Sequence, residues 1–94
     1  MNLEKSKKRI AKKVKMGLQG YPQIGLAYFG KTASLATEVL VTFILEEGAE
    51  PQEERFSSKN DAREDEVIQS AIVKMIERSG ANTVLQVEGV SIKG

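Results

Sequence analysis

The sequence predicts an α+β fold: one small domain over residues 1–94, with two helices packed on one face of a mainly antiparallel sheet. Three observations carry that expectation. Two segments have apolar residues at helical spacing with stop signals at their ends, four short segments read as strands between Gly- and Pro-containing turns, and the two kinds alternate in the order α-β-β-β-α-β. The chain is too short for a second lobe.

The first helix is expected at about residues 3–16. On a 3.6-residue wheel Leu3, Ile10 and Val14 fall within about 40° of one another, with Leu18 flanking and lysines filling the opposite arc. Asn2 is placed to cap it and Gly17 to end it. Gly20-Tyr21-Pro22 then forms a loop, and residues 24–29 read as a first strand. Residues 37–46 read as a second, because Val39, Val41, Thr42 and Ile44 are β-branched, although Leu35, Val39 and Phe43 also fit a helical repeat. Every odd position from Val39 to Leu45 is apolar, while the even positions Glu38, Leu40, Thr42, Ile44 and Glu46 alternate more weakly. After the turn Glu47-Gly48-Ala49-Glu50-Pro51, residues 53–57 offer a poorly supported third strand, best placed at a sheet edge, since only Phe56 is apolar.

The second helix has the clearest period, over residues 62–78. Val67, Ile68, Ala71, Ile72, Met75 and Ile76 make one apolar face, Ser79-Gly80 ends it, and Asp61 with Glu64 three residues on resembles a capping box. Residues 83–92 complete the sheet. There the apolar parity switches from Leu85 and Val87 to Val90 and Ile92, which predicts a bulge or bend at Gly89.

Composition narrows the chemistry. With no Cys and no His, thiolate, Ser-His-Asp and zinc sites built on those ligands have no residues to use. No catalytic residue, cofactor or metal site stands out, and the expectation is a binding protein rather than an enzyme. Asp61, Glu64, Asp65 and Glu66 lack calcium-loop spacing and suit a helix's positive N-terminal end. The longest apolar run, Val39 to Leu45, is far short of the roughly 18 residues that span a bilayer. No signal-peptide core follows the basic N-terminus, so no membrane insertion and a cytoplasmic location are expected.

Gly25-Leu26-Ala27-Tyr28-Phe29-Gly30-Lys31-Thr32 matches the phosphate-loop pattern G-x-x-x-x-G-K-[ST]. The resemblance to P-loop NTPases stops at those eight residues. Its wildcard positions hold bulky apolar residues suited to a strand, and a nucleotide-dependent enzyme using Gly30, Lys31 and Thr32 is the third-ranked reading.

Charge supplies the leading one. Lys5 to Lys15 hold seven of the fourteen Lys and Arg; residues 1–31 carry eight basic and one acidic side chain, a net +7, and residues 32–94 six and twelve, a net −6. Lys5, Lys8, Arg9, Lys12, Lys13 and Lys15 share one side of the helix and predict electrostatic binding of RNA or DNA. Ser6 to Lys13 resembles the basic second helix of double-stranded RNA-binding domains, but there the helix follows the sheet and here it precedes it, so no residue is carried over. The alternative is a protein-interaction or homo-oligomerisation module, including a homodimer, in which a sheet edge or the oppositely charged surfaces of neighbouring copies make the contact. The bland reading of the basic face is that it is solvated or docks near the acidic run Glu46, Glu47, Glu50, Glu53 and Glu54.

Overall fold

The computed structural model describes residues 2–92. Helix α1 spans Leu3–Lys15, with strand β1 at Gln23–Gly30, β2 at Glu38–Ile44 and β3 at Gln52–Ser57. A single 3-10 turn at Ala62–Glu64, helix α2 at Glu66–Ser79 and strand β4 at Thr83–Ile92 follow. The result is the expected α+β domain in the expected order. Both helices lie on the same side of the sheet.

The strand order is β3-β2-β1-β4. Pairing of β1 with β2 and of β2 with β3 is antiparallel, with Leu26 opposite Val41 and Val39 opposite Phe56. The crossover through α2 returns the chain parallel to β1, so Ile24 faces Val84 and the sheet is mixed. Between Leu26↔Gln86 and Tyr28↔Val90 the register slips, leaving Val87, Glu88 and Gly89 opposite Ala27 alone. Gly89 takes φ 74, which a side chain would resist, so the parity switch marks a real bulge.

Alternation along β1 and β2 sends Ile24, Leu26, Tyr28, Val39 and Val41 inward beneath the helices, where each is nearly inaccessible. Ile10 of α1, Ile68, Ile72, Val73 and Ile76 of α2, and Val84 of β4 close the core. Ser6 of α1 is also buried, its hydroxyl 3.2 Å from that of Ser70. Small side chains at that crossing let the helices approach closely.

The second helix departs from the sequence expectation in two ways. Its first turn is separate: Asp61 accepts from the Arg63 amide to close the 3-10 turn, and Asp65 caps α2 by accepting from the Ile68 amide at 3.1 Å. Two capping carboxylates four residues apart split one expected helix into two pieces. The buried arc is also rotated. Val67 is 79 % exposed, while Gln69 and Val73 are buried, because α2 packs against α1 as well as against the sheet. Gln69 is accommodated by donating to the Tyr28 hydroxyl at 3.0 Å and to the Ala62 carbonyl at 2.9 Å.

Thr83 clamps the ends of the sheet. Its buried hydroxyl donates to the Gly20 carbonyl and accepts from the Gln19 amide, both at 2.7 Å. Asn82 and Pro22 add a 2.9 Å backbone bond. These bonds fix the loop after α1, and so the helix that carries the basic cluster.

Candidate nucleic-acid interface

Helix α1 is held against α2 and β4 by Ile10, Ser6 and the half-buried Val14. Its cations divide accordingly. Lys7 donates to Glu64 at 2.7 Å, and that bond raises the Lys7 pKa above its ordinary value. Arg9 donates to Glu77 at 3.0 Å, and Lys13 reaches the Ala81 carbonyl at 3.4 Å. These partners belong to the 3-10 turn, α2 and the turn beyond it. The acidic run of residues 46–54 is not where the helix docks; α2 occupies the neighbouring position.

Lys5, Lys8, Lys12 and Lys15 lie on an arc of about 80° directed away from α2 and the core, at 100° per residue. All four are exposed, and among the described residues none has an ion pair. Their backbone positions span about 15 Å along the axis. Strands of duplex DNA present one phosphate per roughly 3.4 Å of helix axis, so the ridge matches about four phosphates.

Arg9, Lys12 and Lys13 belong to a second feature: the cationic rim of a groove of about 410 Å³ between α1 and α2. Val73, Ile76 and the half-exposed Met16 supply its apolar floor, and Glu77 is its one acidic neighbour. Thus the six residues singled out from the sequence form a ridge and an adjoining rim, with Lys12 common to both. The groove floor was missed. Met16 and Val73 carry no polar signal, and their meeting depends on how α1 crosses α2.

The phosphate-loop match lies in extended backbone. Gly25 to Gly30 run within β1 with alternating burial, paired on both sides, and a turn rather than a helix follows. Gly30 has a packing reason: a Cβ there would run into the Leu35 carbonyl. Tyr28, inside the motif, points into the core, where burial raises its pKa.

The acidic residues near α2 serve the fold. Asp61 accepts from the Arg63 side chain at 2.6 and 2.9 Å, and this bonding lowers its pKa to about 2. The same contact raises that of Arg63. Among the described residues no group of three or more potential metal ligands gathers, and no helix is long and apolar enough to cross a membrane. No protein-family model, curated protein or solved structure matches this chain.

Proposed function

We propose that this protein binds nucleic acid electrostatically through α1, with RNA or DNA lying along the ridge of Lys5, Lys8, Lys12 and Lys15. The observation that carries this reading is the division of charge on one helix. Lys7 and Arg9 are matched by Glu64 and Glu77 of the same chain, whereas the outward ridge has no internal counterpart among the described residues. Such a row recognises phosphates by charge and spacing and reads no base edges. The groove beside it favours a single strand: an unpaired base could lie against Met16 at its mouth while Lys12 on the shared rim faces the backbone.

The test is the salt dependence of binding to a labelled mixed-sequence single strand, followed by fluorescence anisotropy. Affinity should fall steeply with salt, and replacing Lys8, Lys12 and Lys15 together by Gln should flatten the logarithmic slope by about two units. Absence of binding at about 50 mM salt, where the electrostatic contribution is large, would overturn the proposal. Equal slopes for the two proteins would remove the ridge from it.

A further inference from the structure

The side of the sheet turned away from the helices carries an apolar centre larger than a solvated face needs. A sheet with one wet face alternates apolar inward and polar outward. Here the outward positions of the central strands and β4 include Gly25, Ala27, Phe29, Leu40, Ile44 and Leu85, an apolar centre flanked by Gln23, Glu38, Thr42 and Ser91 and, on β3, by Glu53 and Arg55. They face away from both helices, and most are half-buried. Leu85 is 38 % exposed and Val87, at the bulge, 53 %. We propose that this face is an interface with a second copy of the same chain, two sheets stacking face to face with their helices outermost.

Shape favours a second copy. On this face lies a depression of about 290 Å³, lined by Gly25, Ala27 and Thr42 and bordered by Leu85 and Val87. Small residues make the hollow and larger ones stand beside it, so a single patch carries both knob and hole. An isologous two-fold contact requires that self-complementarity. Four strands about 4.8 Å apart and roughly seven residues long give the sheet a face on the order of 500 Å² in projection, the size of a weak contact that dissociates on dilution.

Charge points the same way. The outward positions of β1 and β4 hold no ionisable side chain, and Glu38 on β2 lies 3.6 Å from Arg55 of β3. Charge is confined to the β2–β3 flank, where Glu38, Glu53 and Arg55 carry both signs, so two copies of this face meet little net repulsion. The bulge at Val87 to Gly89 interrupts the β4 edge and disfavours edge-to-edge pairing as the route to the same dimer. Stacking by this face places the two α1 helices on opposite outer sides, so the dimer does not depend on whether α1 binds nucleic acid.

Sedimentation equilibrium of the full chain over a range of concentrations tests the proposal. The expected mass is twice that of the chain, shifting to the monomer on dilution. Ala27→Arg and Val87→Glu should each weaken self-association by about 100-fold, because each buries an unpaired charge within the contact. Far-UV circular dichroism checks that they fold, and Leu85→Lys stands in for any that does not. The Lys8, Lys12, Lys15 to Gln variant should keep the wild-type mass. A protein that stays monomeric throughout, or one whose dimer survives the face substitutions, overturns the proposal.

Discussion

The two faces of the sheet differ along β1 and β2: the inward one is apolar throughout and lies beneath the helices, while the outward one mixes Ala27, Phe29, Leu40 and Ile44 with Gln23, Glu38 and Thr42. Inward, Ile24, Leu26, Val39 and Val41 are sealed under α1 and α2; outward, Ala27, Phe29 and Leu40 face away from the helices and are only half-buried. Solvent alone does not call for that composition. A strand wet on one side gains nothing from Phe29 or Leu40 where Thr, Lys or Gln would serve, and exposed apolar patches carry an aggregation hazard. The difference separates what the chain needs to fold from what it offers to another molecule. Helix α1 repeats the lesson in charge, since its α2-facing cations are matched within the chain and its outward ones are left over.

Truncation on the covered face should show the largest effect. Ile72 is fully buried between α2 and the sheet, so Ile72→Ala should cost about 2–5 kcal/mol by chemical denaturation at any protein concentration. A cost below about 1 kcal/mol would mean that the helix layer is not the core.

Next comes the attachment of that layer. Asp61 closes the 3-10 turn, and the adjacent Ala62 amide and Arg63 side chain bond to the Ala36 and Ser34 carbonyls. Asp61→Ala should cost about 1–2 kcal/mol at neutral pH, towards the lower figure because Arg63 is one-third exposed and the pair is screened. The Arg63 bond holds the folded pKa at about 2, below the 3.8 of a free carboxylate. The Asp61 contribution is therefore complete above about pH 4 and lost as pH falls through 2. Urea titrations at pH 6, 4 and 2 should show wild type and variant converging; a constant gap would detach the effect from the carboxylate.

On the uncovered face the same kind of truncation should behave differently. Leu40→Ala should cost less than about 1 kcal/mol in dilute solution, and more as protein concentration rises, because its partner is a second chain. Thermal unfolding at two concentrations decides it. A large loss independent of concentration would make Leu40 part of the chain's own core.

Much of this was legible in the sequence. The periods of α1 and α2, the β-branched run of β2 and the parity switch at Gly89 each report a local geometry, and local geometry is what spacing encodes. The split before α2 was less so, since Asp61 and Asp65 are both competent caps and only the packing of Ala62 against Ala36 gives each a helix end of its own. The parallel seat of β4, the rotation of α2 toward Gln69 and Val73, and the Thr83 clamp join residues dozens of positions apart. The six basic residues were visible by charge; their division into ridge and rim required knowing which side of α1 meets α2.

The smallest changes in stability should come from α1, where they distinguish its two arcs. Lys7→Gln removes an exposed pair with Glu64 and should cost at most about 1 kcal/mol, with little change in the salt slope of nucleic-acid binding, because Lys7 lies off the ridge. Replacing Lys8, Lys12 and Lys15 by Gln should leave stability within about 0.5 kcal/mol, since none of them touches the core and Gln keeps helix propensity. Denaturation and salt titration on the same two variants therefore cross: one protein loses stability and keeps its slope, the other keeps stability and loses slope. If Lys7→Gln flattens the slope as much as the triple substitution does, binding follows total charge rather than the outward ridge, and the two arcs are equivalent to the ligand.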